Sequence, residues 1–345
     1  MKKPVLLGPA ATTPALCGLL LFVQVAHGGL AKYSAFVVSG GGGVAHGMVQ
    51  PDVVRITYLG VNGYRFETAD HALLIDPYFS RVGFWSVAFN KPIASIRERV
   101  DEGYNHFPAA ADAILVTHAH FDHLLDVPDL MHRTGADLFS GPTAINLVQS
   151  LGVPAKDCKI VKPGDVRTIG PWTIRVFAAE HDRLFGKVPF NKCRSDRPSP
   201  QSSPSRGRET REAAGEGELE KRPVKVSDWC VGEPLAFVIE AAGKRIYIDS
   251  GGVPGSPPDA AVGHVDLAIF GVALPDSRRR FAEVVRQLQP RYTLPSHQDD
   301  FFALLSRGFV FGKLTNFPQL VRIHKRQELP GRLILLDYFR PWTLR

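Results

Sequence analysis

Five apolar segments of this sequence end at or just before an aspartate or a histidine, and this regularity constrains the fold more than any other feature. The polar residues at these ends are Asp76, His118, His181, Asp249 and His297. If the segments are strands that run in one direction, their carboxyl ends meet at one edge of the sheets, where ligand sites are built. The pattern predicts a polar site assembled from distant parts of the chain.

The first half of the chain predicts strands followed by helices. Residues 53–79 alternate apolar and polar side chains with a break at 60–63, which is typical of an antiparallel meander. The run Asp112–Thr117 is a short apolar segment of the buried-strand type. Helical spacing follows it as far as Gly135, and a second helix begins near Pro142.

The second half predicts another series of strands that flank a helix. A strand leads to His181, and a hairpin that turns at Ala242–Gly243 ends on Asp249. A buried strand and a helix at 278–290 then precede the short strand that ends on His297. One last strand is expected over residues 331–342.

Two regions differ in composition from the rest and set the expected domain boundaries. Residues 1–50 combine Lys2 and Lys3, a short apolar segment and small residues, which is a signal-peptide pattern followed by a flexible N-terminal segment. A single domain is expected over 51–345. Residues 195–225 are rich in Ser, Pro, Gly, Arg and Glu, a composition that favours a disordered insertion, either a tolerated one or a lid.

The segment 118–123 carries the clearest chemical signal. His118 and His120 lie two residues apart and can bind one ion, and Asp122 and His123 can face a second. Imidazole and carboxylate are ligands of borderline metals such as zinc, with manganese or iron as alternatives. A lone histidine on an apolar face is usually a core residue, but three histidines and an aspartate within six positions indicate a metal site.

The segments THAHFDH, EHD, IDSGG and PSH together resemble the metallo-β-lactamase-fold hydrolase superfamily. The resemblance extends from about residue 53 to the C-terminus, excluding the insertion. The series of motifs is similar to a broad branch that includes ascorbate-phosphate lactonase and N-acylphosphatidylethanolamine phospholipase D, although the turn at 60–63 lacks the histidine expected in the phospholipases. The implied fold is of the α/β (α+β) class: a four-layer αβ/βα sandwich of two mixed β-sheets flanked by helices.

The resemblance also implies a role for each candidate site residue. A first ion would be bound by His118, His120 and His181, and a second by Asp122, His123 and His297. The Asp249 carboxylate would bridge the two ions, and Asp76 would orient a ligand from behind. The alternatives are that Asp76 caps a turn before Pro77 and that Asp249 is an ordinary residue at a strand end.

The expected activity is that of a dinuclear zinc hydrolase. A hydroxide on the two ions would attack a phosphodiester, lactone or related ester, and Asp122 would carry a proton in the reaction. Other candidates for the proton donor are His264, Asp299 and Asp300. Two alternative functions stay open: a β-lactamase, and a metal-binding protein without turnover.

Charge, hydropathy and cysteines limit the partners and the compartment. A net charge of +7 favours a small anionic substrate, and the absence of basic blocks interleaved with aromatics argues against nucleic acid. No apolar stretch reaches the roughly 18 residues needed to span a membrane. The N-terminal pattern favours a secreted or periplasmic protein, or a cytoplasmic one if translation starts at Met48. Cys193 and Cys230 either form a disulfide or are unrelated thiols.

Overall fold

The computed structural model describes residues 29–39, 49–107, 110–193 and 222–345. The predicted signal segment before residue 29, Met48 and most of the predicted insertion lie outside these residues. Two mixed β-sheets with flanking helices form the fold, which confirms the predicted fold class. Within the described ranges each sheet has seven strands.

The first sheet has the order β14-β1-β2-β3-β4-β5-β6. Strands β1 to β3 form the predicted antiparallel meander, and the strands from β3 to β6 pair in parallel. All three residues of β4 are buried, as expected for a parallel strand that is covered on both faces. The strands of this sheet are β1 (Val54–Gly60), β2 (Gly63–Thr68), β3 (His71–Ile75), β4 (Ala113–Leu115), β5 (Asp137–Ser140), β6 (Cys158–Ile160) and β14 (Trp342–Leu344).

The second sheet repeats this arrangement in the order β13-β12-β11-β10-β9-β8-β7. Strands β7 to β10 are antiparallel, and β10 to β13 are parallel. The predicted hairpin turn is present: Ala242 and Gly243 have φ angles of 51° and 66°, as two-residue hairpin loops require. The strands are β7 (Val166–Ile169), β8 (Trp172–Ala178), β9 (Leu235–Ala241), β10 (Lys244–Ile248), β11 (Leu267–Gly271), β12 (Tyr292–Ser296) and β13 (Arg332–Leu333).

Helices connect the strands, and those at Val127–Thr134, Pro142–Ser150 and Pro275–Leu288 correspond to the three helices that the sequence predicts. Gly135 ends α4 with a φ of 72°, the left-handed conformation that favours glycine. Pro142 and Pro275 each lie at the start of a helix, where the missing N–H has no cost. The helices are α1 (Phe84–Ala88), α2 (Arg97–Tyr104), α3 (Phe121–Leu124), α4 (Val127–Thr134), α5 (Pro142–Ser150), α6 (Pro275–Leu288) and α7 (Phe317–Arg326).

The structure corrects the prediction of a single last strand over residues 331–342. Short β13 pairs with β12 of the second sheet, whereas β14 pairs with β1 of the first. Between them the chain crosses from one sheet to the other, and Phe339 N donates to Tyr58 O in β1. The backbone hydrogen bonds of this segment therefore go to β12, to β1 and to residues 36–38, and no uninterrupted strand forms.

A short segment before the expected domain boundary at residue 51 contacts the domain. Leu30–Phe36 forms a 3₁₀ helix, with the Tyr33 ring edge-on to Phe311 and Phe317. Val38 N donates to Leu335 O, a hydrogen bond that joins this segment to the chain between β13 and β14. Burial of the Tyr33 ring thus holds residues 30–36 against the domain.

Candidate metal centre

The structure brings six of the seven predicted ligands together in two groups of three. His118, His120 and His181 form one group, and Asp122, His123 and His297 form the other. Within each group one ligand atom per residue lies within 4.8 Å of the others. The His118 and His123 rings are 4.1 Å apart between centroids, so the two groups adjoin.

Strand ends and one short helix position these residues. His118 and His120 follow β4 in the turn that leads into α3, and α3 carries Asp122 and His123. The carboxyl ends of β8 and β12 lead to His181 and His297, three residues and one residue beyond their strands. The common edge predicted from the sequence is the place where these segments meet.

In the first group, two ring nitrogens face each other across a short distance. His118 Nε2 and His120 Nδ1 are 2.9 Å apart, and the His181 ring lies 4.8 Å and 4.7 Å from their two rings. The other nitrogen of His118 lies 3.2 Å from both Thr117 Oγ1 and Ser250 Oγ. Neutral imidazoles that converge in this way suit a shared cation.

In the second group, the Asp122 carboxylate lies between two histidines. Asp122 Oδ2 is 3.1 Å from His297 Nε2 and 3.8 Å from His123 Nε2. His297 Nδ1 is buried and has no hydrogen-bond partner among the described residues. The Asp122 carboxylate and the two imidazoles beside it fit a metal ligand set.

Asp76 lies behind His123 and is fully buried. Its Oδ2 atom is 2.9 Å from His123 Nδ1, the ring nitrogen that does not face Asp122. Asn62 Nδ2 and both the backbone N–H and the hydroxyl of Thr117 donate to the same carboxylate at 2.6–2.8 Å. Asp76 is thereby placed to fix the orientation of the His123 ring.

The structure does not place Asp249 with the other predicted ligands. Its carboxylate accepts hydrogen bonds from Arg280 Nη1 at 2.8 Å, Tyr247 Oη at 2.7 Å and Gly251 N at 3.0 Å. Asp249 belongs to neither group of three, and its bridging role stays a prediction. The buried guanidinium of Arg280 in α6 pairs with this carboxylate.

Burial and mutual charge control protonation in the first group. Burial, followed by the charges of neighbouring histidines, holds the pKa values of His118 and His120 well below the usual range. These imidazoles therefore stay neutral at pH 7, which is the form that binds metals.

In the second group, the pKa values of the carboxylate and of one imidazole are shifted in opposite directions. Burial opposes the charge of Asp122, but His123 and His297 outweigh burial and hold the pKa of its carboxyl well below the usual range. For His297 burial is outweighed by the hydrogen bond to Asp122, so its pKa is raised. Asp122 thus provides the negative charge of the site.

The three other proton-donor candidates lie in less suitable positions. Asp299 is fully buried in an ion pair with Arg81, and Asp300 accepts from the backbone N–H of Phe302. His264 is exposed and precedes β11, at the edge of the sheet opposite the histidines. Sequence reasoning proposed these residues from proximity along the chain, which does not report the direction of a side chain.

Several residues that support the site were not identified from the sequence. The turn after β1 supplies Asn62, which links the Asp76 carboxylate to Ser296 Oγ. Pro189 O lies 3.1 Å from His120 Nε2 and belongs to the loop that follows His181. This loop ends at Cys193, which forms a disulfide with Cys230, so the first of the two alternatives for these cysteines is correct.

Sequence comparisons identify relatives of this chain among metal-dependent hydrolases. Residues 55–194 match the family model described as the beta-lactamase superfamily domain. A UPF0173 metal-dependent hydrolase of Chelativorans sp. is 28% identical over 134 residues, which are 39% of this chain and 51% of that protein. The chain thus spans about half the length of the first curated relatives it matches. A relative of the same name from Heliobacterium modesticaldum is 24% identical over 72% of this chain and 84% of its own.

Further comparisons extend the likeness to nearly the whole fold. The exodeoxyribonuclease WalJ of Streptococcus pneumoniae is 30% identical over 127 residues, which are 36% of this chain and 42% of WalJ. The structure of Igni18, a metallo hydrolase from Ignicoccus hospitalis, superposes with a TM-score of 0.51 at 15% identity. It covers 85% of this chain and 99% of its own, a likeness that shows the fold. Residues 55–194 thus carry a beta-lactamase superfamily domain, and the metal-dependent hydrolase relatives and the shared fold support the predicted metallo-β-lactamase-fold superfamily.

Proposed function

We propose that this protein is a zinc-dependent hydrolase with a dinuclear site, acting on a phosphodiester, lactone or related ester of a small anionic substrate. The observation that carries the proposal is the pair of adjoining three-residue groups at one edge of the fold. Two such groups supply six side-chain ligands, enough for two cations that each keep an open position.

The first cation would be held by His118, His120 and His181, and the second by Asp122, His123 and His297. When bound, such a pair would polarise the substrate and lower the pKa of a water molecule far enough to supply hydroxide near neutral pH. The chain's own residues then orient the reaction. Asp76 would fix the orientation of the His123 ring, and Asp122, which is charged at neutral pH, would take up a proton and pass it to the leaving oxygen.

The test combines metal analysis with hydrolysis of bis-(p-nitrophenyl) phosphate. We expect two equivalents of zinc and measurable turnover, and about a hundredfold or greater loss of activity in His118→Ala and His297→Ala. His132→Ala is the matched control, because His132 is exposed on α4 and belongs to neither group. Bound metal without turnover on phosphodiesters, lactones or thioesters would identify a binding protein and reject the proposal.

Other substrate classes are separate arms of the same experiment. Nitrocefin hydrolysis would identify a β-lactamase, the alternative suggested by the fold. Single-stranded DNA is included because one relative is named an exodeoxyribonuclease. Manganese or iron in place of zinc would retain the hydrolase proposal and change the metal.

We also propose that the protein is exported. The Cys193–Cys230 disulfide supports this, since disulfides persist in oxidising compartments. N-terminal sequencing of the mature protein tests it: cleavage near residues 26–30 is expected. A mature chain that begins at Met48 would reject export and indicate a cytoplasmic protein.

A further inference from the structure

The aromatic segment that follows Asp76 divides into a buried part and an exposed part. The sequence left open whether residues 76–89 form core or line a substrate pocket. Tyr78 and Phe79 are buried in the core, whereas Phe84, Trp85 and Phe89 are 38%, 55% and 65% exposed. Helix α1, which carries Phe84 and Trp85 and is followed directly by Phe89, has no buried residue, so core packing does not account for these rings.

A chain of ring contacts connects the exposed aromatic residues to the candidate metal centre. Phe89 stacks on Trp85 at 5.5 Å between centroids, and Trp85 contacts Phe84 at 5.1 Å. Phe84 contacts Phe302 at 5.3 Å, and the Phe302 ring is 4.1 Å from that of Phe301. The following residues form this aromatic track: Phe84, Trp85, Phe89, Phe301 and Phe302.

The inner end of the aromatic track reaches a candidate metal ligand. The Phe301 ring lies edge-on to His297, 5.9 Å between centroids. His297 keeps 14% of its side chain exposed, so the inner end of the aromatic track meets a partly exposed candidate ligand. An apolar surface that is continuous with a metal site and open to solvent is typical of a binding surface for part of the substrate.

The His120 side of the metal centre is cationic. A cavity of about 590 Å³ is lined by Phe190 and by the charged residues Arg183, Lys187 and Lys192. The Phe190 ring lies 6.0 Å from that of His120, a ligand of the first group. The metal centre is therefore flanked by a basic cavity on the His120 side and by the aromatic track on the His297 side.

We propose that the substrate is an amphipathic anion: the aromatic track binds its apolar chain, and the basic cavity binds its anionic group. The scissile ester then lies between the two, at the metal centre. The inference rests on the proposed hydrolase function for the position of the ester. Binding of the chain itself requires only the ring surface and is measured without turnover.

The experiment measures binding of alkyl phosphates from ethyl to dodecyl, below their micellar concentrations, to the full-length metal-free protein. Trp85 reports binding, because Trp172, Trp229 and Trp342 are buried. We expect the dissociation constant to fall about two- to fourfold for each added methylene group, with a blue shift of the tryptophan emission. Trp85→Phe should lose the blue shift but keep the affinity measured by calorimetry.

Matched variants test the aromatic track itself. Phe89→Ser and Phe302→Ser should each weaken dodecyl phosphate binding about tenfold or more and leave ethyl phosphate binding unchanged. Ile160→Ser is the control, because Ile160 is a 53% exposed apolar residue at the end of β6, outside the aromatic track. Affinity that is independent of chain length, or an equal effect of Ile160→Ser, overturns the proposal.

Three further outcomes distinguish the aromatic track from a membrane contact and from the metal centre alone. In the first outcome, the protein sediments with anionic phosphatidylglycerol vesicles but does not bind monomeric alkyl phosphates. This result would make the exposed rings a membrane contact and overturn the proposal. Hydrolysis of bis-(p-nitrophenyl) phosphate, together with alkyl phosphate binding that does not depend on chain length, would retain the hydrolase and reject the aromatic track. Binding that depends on chain length in a protein without turnover would support the aromatic track and reject the hydrolase.

Discussion

Behind His297 lies a buried network of charged and hydroxyl groups. Asp299 accepts hydrogen bonds from Arg81 Nη2 and Tyr338 Oη on one oxygen, and from Tyr58 Oη and the N–H of Val61 on the other. Arg81 outweighs burial and holds the pKa of Asp299 below its usual range. His297 N in turn donates to Val61 O at 2.7 Å, so this network fixes the backbone that carries a metal ligand.

The same network retains unfavourable backbone conformations. Val61, Asp76, Arg81 and His297 have φ angles between 42° and 56°, a region that side chains other than glycine rarely adopt. Gly60, with a φ of 99°, has no room for a Cβ, because that atom would collide with the guanidinium of Arg81. Such conformations persist because the surrounding contacts enforce them, and here they surround the candidate site.

Arg81→Met should therefore strongly destabilise the protein. Removing one partner leaves the buried Asp299 carboxylate without its countercharge, which costs about 3–5 kcal/mol. Urea denaturation of the metal-free protein measures this loss. The control is Arg279→Met, because Arg279 pairs with Asp276 at the surface with 62% of its side chain exposed. A loss of less than about 1 kcal/mol for Arg81→Met would contradict a structural role for the pair.

Asp249→Asn tests whether its carboxylate matters in the absence of metal. Because Asp249 balances the buried charge of Arg280, we expect a loss of about 3 kcal/mol of unfolding free energy in the metal-free protein. A carboxylate whose role is only to bridge cations would affect the metal-loaded protein alone. Equal stability of the metal-free variant and the metal-free wild type would show that the contact with Arg280 contributes nothing.

At the residue scale, the sequence reveals the ligands whose signal is local. His118, His120, Asp122 and His123 lie within six positions, and their chemistry is readable from that spacing. The partner of Asp249 could not be predicted in this way. Arg280 lies 31 residues further along the chain, in an arginine run that is typical of a solvated helix face.

At the scale of elements, the loop from His181 to Cys193 links the site to the disulfide. Phe190 O accepts from Val231 N, and Ala119 N donates to Val231 O, so residues next to Cys230 join this loop to the histidine turn. Phe190 also packs against Phe121 of α3. The disulfide thereby fastens the loop that covers His120.

Removing the disulfide should loosen this loop and lower stability. Closing a loop across a sequence separation of 37 stabilises a chain by about 4 kcal/mol in the loop-entropy model. We expect Cys193→Ser combined with Cys230→Ser to lose about 2–4 kcal/mol and to show faster proteolysis after His181. Cys158→Ser is the control, since Cys158 is a free thiol. Equal unfolding midpoints with and without reductant in the wild type would contradict the expectation.

Element boundaries were predicted well where a local signal ends them. Gly135 and the Ala242–Gly243 turn are such positions, since their backbone conformations favour particular residues. The C-terminal residues 331–342 carry no such signal, because their apolar pattern suits one long strand. Their division between two sheets depends on long-range partners, such as Tyr58 and Thr293, which the pattern of a single segment does not contain.

On the scale of the whole molecule, the two sheets are joined at the edge opposite the metal centre. Asp112 accepts from Ala72 N in β3 of the first sheet and from Trp172 Nε1 in β8 of the second. His71 Nδ1 lies 2.9 Å from the other oxygen of the same carboxylate. This hydrogen bond raises the pKa of His71 despite slight opposition from burial.

The raised pKa makes the connection between the sheets depend on pH. Since the pKa of His71 is higher in the folded chain than its unfolded value of about 6.5, its contribution to stability is complete below that pH. The contribution is lost as the pH rises through the folded pKa. His71 is partly exposed, so we expect the change to be about 1 kcal/mol or less.

The difference in unfolding free energy between the wild type and His71→Gln isolates this contribution from all other titrating groups. Urea denaturation from pH 5.5 to 9 should show the largest difference at the acidic end and a smaller one above the folded pKa. The same difference for His132→Gln, an exposed histidine on α4, should stay constant with pH. A difference for His71→Gln that grows as the pH rises would mean that the neutral imidazole is the form bound by Asp112, with the carboxylate itself holding the two sheets together through Ala72 and Trp172.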